Sequence, residues 1–299
     1  MARNPVTLLR ALGRSYTALA LALRHGGPGL GFDLRGRLMG WRLLAQGQRI
    51  GAAYALAPVS STRYFEFAFA EACLAHGAGP MLDLSSPRLF ALDLARRHPT
   101  TQIVMLNPDH SDLTMSALIA RRQGLRNLDC LRAGAELLPA LTDRFTTIWS
   151  LSVLEHIAGP YDDRNVITWL YRALRPGGQL IVTVPVDRHA WDEYREQDYY
   201  GQATLRDAAG RIFFQRFYDQ EAIETRLIAP LGRRPSKIVW YGEREPGHFH
   251  QYIATVMQQG LLATVTDAAI FTRAYQIYPS WEAMPGVGVC GLCFTRETE

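Results

Sequence analysis

The sequence contains a single lysine, four cysteines and no apolar run long enough to cross a bilayer. Its basic side chains are therefore almost all arginines, 31 of them against Lys237 alone. The cysteines are too few and too scattered for a disulfide framework, and no cleavable signal pattern precedes them. We therefore expect a protein of the reducing cytoplasm.

Positive charge is concentrated in the first fifty residues. This segment holds eight arginines and one acid, Asp33, whereas the whole chain has a formal net charge of +4. The rest of the chain is therefore slightly acidic, unlike the broad basic face that nucleic-acid binding needs. With 48% apolar and 20% charged residues, the composition is typical of a soluble globular protein. We expect no nucleic-acid partner.

The basic segment begins with a stretch that predicts a helix, VTLLRALGRSYTALALALRHGG, ending at a pair of glycines. Apolar residues cover most of this helix, interrupted by Arg10 and Arg14. Two interpretations remain open: the helix caps the main domain, which we favour, or it lies on an anionic membrane or gates a lipophilic substrate. We predict a basic helical extension over residues 1–60 and one α/β domain over residues 61–299.

Strands and helices alternate from residue 80 to residue 186. The predicted strands are PMLDL, TQIVMLN, LDCLRA, RFTTIWSLS and QLIVTVPV, and the last is the β-branched run of a strand buried on both faces. Between them lie helices, one from Pro87 to His98 with Ser86 as its N-cap and one that starts from an N-cap at Ser111. This order predicts a doubly wound, mostly parallel sheet that binds ligands at the carboxyl ends of its strands.

The turn after the first strand has no glycine. The stretch LDLSSP ends its strand near Asp83 and turns through Ser85, Ser86 and Pro87 into the next helix. Small hydroxyl side chains and the backbone N–H groups of a helix start can still receive a carboxylate. This turn is therefore a candidate ligand site.

Three segments resemble, in order and spacing, the Rossmann-like class of S-adenosylmethionine-dependent methyltransferases: LDLSSPRLFALDLA, DRFTTIWSLSVLEHI and VITWLYRALRPGGQLIVTVPV. The resemblance covers roughly residues 63–190, and the later stretches SKIVWYGE and GVGVCGLCFTR suit the antiparallel strands that end this fold. It implies an S-adenosylmethionine cofactor and transfer of its methyl group to an oxygen or carbon nucleophile of a small acceptor. Because the N-terminal extension is basic, we also expect that the acceptor is anionic or lipid-like.

The resemblance assigns cofactor contacts to the carboxyl ends of the predicted strands: Asp83, Ser85, Ser86, Asn107, Gly134 and Ser150. The sequence departs from the family pattern in three places. Two serines replace the glycine-rich turn, Asn107 replaces the acid that ends the second strand, and Gly134 lies where an aspartate is common. Asp129 or Glu136 would substitute there only after a shift in register. An alternative therefore stays open, a catalytically inactive methyltransferase-like scaffold that acts as a binding or assembly subunit.

The candidate base is His156, since the stretch LEHI follows the fourth strand at the edge where cofactor and acceptor would meet. An equally weighted alternative is that His156 packs against or caps the next helix. After the fifth strand, four side chains either line an acceptor pocket or belong to a solvated loop: His189, Trp191, Tyr194 and Tyr199.

Two patterns that look like metal motifs are interpreted as structural. His248 and His250 have no matching ligand cluster nearby in the sequence. Cys290 and Cys293 lie at an odd separation in a predicted strand, which sends their side chains to opposite faces of the sheet. We therefore predict no metal site.

Overall fold

The computed structural model describes residues 5–74, 79–198 and 205–298 of the chain. Its helices are α1 (Pro5–His25), α2 (Leu30–Ala45), α3 (Gly51–Leu56), α4 (Arg63–Cys73), α5 (Leu89–Arg97), α6 (His110–Gln123), α7 (Asp163–Ala173), α8 (Gln220–Ala222), α9 (His248–Gln259) and α10 (Asp267–Arg273). Its strands are β1 (Met81–Leu84), β2 (Ile103–Leu106), β3 (Leu128–Leu131), β4 (Phe145–Leu151), β5 (Leu174–Val186), β6 (Trp191–Arg195), β7 (Ile212–Phe217), β8 (Lys237–Glu243), β9 (Tyr275–Tyr278) and β10 (Gly288–Thr295).

Eight of these strands form one sheet in the order β3-β2-β1-β4-β5-β10-β8-β9. Strands β1 to β5 run parallel to one another, whereas β10 runs antiparallel to both β5 and β8. The apolar run of β5 lies at the centre of the sheet, where Leu180, Ile181 and Val182 are fully buried because apolar clusters cover both faces. The predicted Rossmann-like sheet with a terminal antiparallel strand is therefore confirmed.

The two cysteines of β10 face opposite sides of the sheet, as their odd separation predicts. Cys290 packs in the cluster that contains Leu82 and Val182, and Cys293 packs in the cluster that contains Ile181. Both cysteines are buried. The CGLC stretch is therefore part of the core.

The N-terminal helices are tied to the sheet domain by a buried polar network. Asp33 of α2 is fully buried, pairs with Arg37 one turn along the same helix and accepts a hydrogen bond from Tyr64 Oη on α4 at 2.5 Å. Arg37 in turn donates to Ser15 Oγ on α1 at 2.7 Å. Removing one partner would leave a buried charge uncompensated, so this network fixes the helices against one another. The division of the chain at residue 60 stays a prediction.

Two helix starts differ from the predicted ones. Helix α5 begins at Leu89, and Ser86 is not its N-cap, because the Ser86 hydroxyl accepts a hydrogen bond from the Leu151 N–H at 3.0 Å instead. Helix α6 begins at His110, and its N-cap is Asp109, whose carboxylate accepts from the backbone N–H groups of Ser111 and Asp112. The expected N-cap at Ser111 was wrong because the carboxylate two residues earlier is already in place to accept those bonds.

The aromatic segment after β5 contains a strand that the sequence did not indicate. β6 pairs antiparallel with β7 in a separate two-stranded sheet, with a register shift between Glu193 and Tyr194. That irregularity breaks the alternation of side chains on which strand prediction depends. Further along, Asp219 is the N-cap of α8, since it accepts from the Ala222 N–H at 2.8 Å.

Candidate active site

A cavity of about 600 Å³ lies at the carboxyl ends of β1, β2 and β4. This volume is within the range of about 300–1,000 Å³ that small-molecule sites occupy. The cavity brings together five of the predicted site residues: Ser85, Ser86, Asn107, Gly134 and His156. Asp83 and Ser150 do not reach its surface, because both side chains are fully buried within their strands. Their direct contact with a cofactor stays a prediction.

The glycine-free turn after β1 has the backbone shape that glycine usually provides. Ser85 has a φ of 51°, in the left-handed region that favours glycine. Its backbone N–H and its hydroxyl both donate to the Leu106 carbonyl, at 2.9 and 3.1 Å. These two bonds hold a strained residue in place and let the chain turn sharply at the cavity edge.

The buried carboxyl of Asp83 stabilises the same turn by a hydrogen bond. Its Oδ1 accepts a hydrogen bond from the Ser86 backbone N–H at 3.0 Å. Because the carboxyl is fully buried, desolvation raises the pKa of Asp83 to about 7. Asp83, one residue before the end of β1, therefore supports the turn without lining the cavity.

On the second strand, Asn107 uses both ends of its side chain within the protein. Its Oδ1 accepts from the Asp109 N–H at 2.9 Å, and its Nδ2 donates to Asp112 Oδ2 at 3.1 Å. Asp109 and Asp112 both line the cavity, and Asp112 also pairs with Arg88. Two carboxylates therefore line the cavity at the start of α6, next to the end of β2.

A third acid, Glu136, lines the cavity after β3. It accepts hydrogen bonds from the Gly134 N–H at 2.8 Å and from Tyr161 Oη at 3.0 Å. Although burial opposes it, the bond from Gly134 holds the pKa of Glu136 below its usual value. Asp129, the other substitute considered from the sequence, is exposed on β3 and bonds to Gln102 Nε2 at 2.7 Å. Of these two acids, Glu136 is the one that lines the cavity.

His156, which follows β4, also lines the cavity. Its Nδ1 is 2.6 Å from the Phe214 carbonyl oxygen, which only accepts, so Nδ1 carries the proton and Nε2 carries the lone pair. Burial lowers the pKa of His156 to about 4, so the ring is neutral near pH 7. The ring also packs edge-on against Phe214. The geometry is compatible with both a packing role and a base, and the base stays a prediction.

The sequence did not indicate a buried carboxylate next to this cavity. Glu66 of α4 is fully buried and accepts four hydrogen bonds at 2.7–3.0 Å, from Thr62 Oγ1, Arg63 Nη1, Ser152 Oγ and Thr183 Oγ1. Two of these donors, Arg63 and Ser152, line the cavity. The available signal was the position of Glu66 between two phenylalanines in the stretch RYFEFAFAEA.

Beside this cluster, Glu155 is also buried. Desolvation, together with the nearby charge of Glu66, raises the pKa of Glu155 to about 8. Glu155 is therefore mostly protonated at neutral pH. Its Oε1 lies 3.8 Å from His156 Nε2.

Three of the four side chains predicted to line an acceptor pocket lie outside the cavity. Trp191 stacks on Phe217, with ring centroids 4.3 Å apart, and Tyr194 packs edge-on against Phe213. Neither of them lines the cavity, nor does His189, and Tyr199 lies outside the described residues. The aromatic wall of the cavity comes instead from Phe213 on β7 and from Tyr161.

Comparison with known proteins gives the same assignment as this geometry. Residues 82–182 match the family model described as a methyltransferase domain. No match was found among curated protein sequences. The fold and the position of the cavity are those of a Rossmann-like ligand-binding domain. Residues 82–182 belong to the class I, Rossmann-like methyltransferase family, whose methyl donor is S-adenosylmethionine.

Three solved structures illustrate the likeness in fold. Phosphoethanolamine N-methyltransferase 2 of Haemonchus contortus has a TM-score of 0.50 and 13% identity, over 78% of this chain and 52% of that one. Geranyl diphosphate C-methyltransferase from Streptomyces coelicolor A3(2) has a TM-score of 0.49 and 10% identity, over 79% and 78%. The [4+2]-cyclase SpnF has a TM-score of 0.49 and 19% identity, over 77% and 79%.

Proposed function

We propose that this protein transfers a methyl group from S-adenosylmethionine to an oxygen or carbon nucleophile of a small acceptor. The observation that carries the proposal is the left-handed Ser85, because it preserves the sharp turn of a cofactor-binding edge without glycine. The family assignment of residues 82–182 supports methyl transfer in general. The choice of acceptor rests on the charges of the cavity.

The cavity fits the charge of this cofactor. Among the residues that the structure describes, four carboxylates line it, Asp109, Asp112, Glu136 and Asp198, together with the guanidinium of Arg63. S-adenosylmethionine carries a positive sulfonium, which such a lining stabilises. Asp109 and Asp112 would bind the ribose hydroxyls, Glu136 the adenine side, and the Ser85–Ser86 turn the amino-acid end. When bound, the sulfonium supplies an electrophilic methyl group.

Two further residues that line the cavity, His156 and Arg63, would orient the acceptor. Neutral His156 offers Nε2 as a proton acceptor, yet a group with a pKa of about 4 holds a proton weakly. This argues for an acceptor that is acidic, or already anionic, before methyl transfer. Arg63, held by Glu66 at 2.7 Å, supplies a cation in the same cavity. We therefore extend the proposal to an anionic acceptor, including a lipid-like one.

Methyl transfer is tested with S-adenosylmethionine labelled in its methyl group. The protein is incubated with a panel of phenols, carboxylic acids, β-dicarbonyl compounds and anionic lipids, and products are identified by mass spectrometry. We expect label in an anionic acceptor, and none when Arg63→Gln replaces the unsubstituted protein. Cofactor binding with label in neutral amines alone would contradict the proposed acceptor class.

One observation favours a second candidate, a catalytically inactive scaffold. Both polar ends of Asn107 and the hydroxyls of Ser85 and Ser86 make hydrogen bonds within the protein. A site whose polar groups are all engaged internally has fewer left for a cofactor. The two candidates differ in one result, since the scaffold binds neither S-adenosylmethionine nor S-adenosylhomocysteine.

A further inference from the structure

The outer sides of α1 and α2 carry an exposed apolar surface. On α2, Leu34, Leu38 and Trp41 follow the spacing of one helix face, and on α1 Leu9, Tyr16 and Leu23 are seven residues apart. The six side chains are between 38% and 68% exposed. Trp41 Nε1 donates to Tyr16 Oη at 2.7 Å, which places the two stripes side by side. We name these six residues the α1–α2 face.

Arginine side chains flank this face. Arg10, Arg14 and Arg24 on α1 and Arg42 on α2 are exposed, and none has a carboxylate partner within the part of the chain that the structure describes. By contrast, Arg35 pairs with Asp93. The one acid of this segment, Asp33, is fully buried. The face therefore combines exposed apolar groups with uncompensated positive charge.

This combination selects one kind of partner. Leucine and tryptophan next to guanidinium groups are the side chains that bind at the boundary between lipid headgroups and acyl chains of an anionic bilayer. A second copy of the chain is disfavoured, because pairing two such faces would bring eight unpaired arginines together. None of the described helices combines the length and apolar character needed to cross a bilayer. The fit is to a membrane surface.

We propose that the α1–α2 face binds the surface of an anionic phospholipid bilayer. Leu34, Leu38 and Trp41 enter the headgroup region, and the arginines of both helices contact lipid phosphates. This binding does not depend on methyl transfer. It gives the N-terminal helices a role beyond packing against the sheet domain.

The test is co-sedimentation of the full-length chain with vesicles of phosphatidylcholine alone or of phosphatidylcholine with 30% phosphatidylglycerol. We expect binding only to the anionic vesicles, weaker by about tenfold after raising salt from 50 to 200 mM. The double variants Leu34→Gln/Leu38→Gln and Arg10→Gln/Arg14→Gln should each lower vesicle affinity at least fivefold. Melting temperature checks that both remain folded.

Two matched controls keep the result specific. Met257→Gln replaces a more exposed apolar residue on α9, and Arg121→Gln/Arg122→Gln removes two exposed charges from α6. Both controls should bind vesicles like the unsubstituted protein. Equal losses in the controls, binding to neutral vesicles alone, or tighter binding to an RNA oligonucleotide than to anionic vesicles would each overturn the proposal. So would a dimer in solution that only Leu34→Gln/Leu38→Gln dissociates.

Discussion

Ser85 and Ser152 have the same left-handed backbone conformation at the carboxyl ends of the neighbouring strands β1 and β4, with φ values of 51° and 50°. Each hydroxyl donates a hydrogen bond that holds the residue there, Ser85 to the Leu106 carbonyl at 3.1 Å and Ser152 to Glu66 Oε2 at 2.9 Å. A non-glycine residue in this region costs about 1–2 kcal/mol. Two serines with strained backbones therefore lie at the cavity edge. At Ser85, the turn after β1 keeps the left-handed conformation although it contains no glycine.

Replacing Ser85 separates the shape of the turn from its charge. Ser85→Gly relieves the backbone strain, so cofactor affinity should stay within about threefold of the unsubstituted protein. Ser85→Asp places a negative charge where we put the carboxylate of S-adenosylmethionine, and should lower affinity at least 100-fold. Calorimetric titration measures both. Equal affinity in the aspartate variant would remove the cofactor carboxylate from this turn.

The acids of α6 can be compared with an acid outside the cavity. Asp112→Asn removes the charge proposed to bind the ribose, and we expect S-adenosylhomocysteine affinity to fall by about 10- to 100-fold, the value of a hydrogen bond to a charged group. Asp129→Asn is the matched control, since Asp129 is exposed on β3. If both variants bind the ligand equally well, the ribose does not lie at α6.

His156→Ala distinguishes a base from a packing residue. As a base, His156 should contribute about 100-fold or more to turnover while cofactor affinity stays nearly unchanged. Because its pKa is about 4, this contribution should be constant from pH 6 to 8 and decline only as the ring is protonated at lower pH. A folded variant with full turnover would show that His156 only packs. Near-ultraviolet circular dichroism checks the fold.

Glu155 makes the stability of the protein depend on pH. Its pKa rises from 4.5 to about 8 on folding, so its contribution is fully present below about pH 4.5 and is lost as pH rises through 8. Glu155→Gln has no proton to lose and should be more stable than the unsubstituted protein at pH 8.5, by on the order of 1–3 kcal/mol. Urea unfolding at pH 5.5 and 8.5 measures this. The exposed Glu221→Gln serves as control, and the same gain in both variants would contradict the assignment.

The sheet could be predicted because its signals are local. The β-branched run of β5, and Gly177 and Gly178 that precede it within the same strand, are continuous stretches of sequence, and they identify a central parallel strand directly. The site was harder to predict from the sequence, because its residues are brought together by contacts between distant parts of the chain. Glu66 and Thr183 are 117 residues apart in the chain yet share a hydrogen bond, and no local pattern links them.

The acids that line the cavity were missed by the sequence analysis for a different reason. Taking Ser111 as the N-cap started α6 two residues late and left Asp109 and Asp112 without an assigned role. The stretch NPDHSD already contained the better N-cap, because a carboxylate accepts from two backbone N–H groups at once. Reading Asp109 as the cap would have placed both acids at the carboxyl end of β2.

The most direct test of this account is a calorimetric titration of the purified protein, cleared of co-purified ligand, with S-adenosylmethionine and S-adenosylhomocysteine. We predict saturable binding of both and a rise in melting temperature, since a ligand at 100 times its Kd adds about 2.7 kcal/mol to the free energy of unfolding. Absence of binding by either ligand, in protein that circular dichroism shows to be folded, would contradict the proposed enzyme and leave the inactive scaffold.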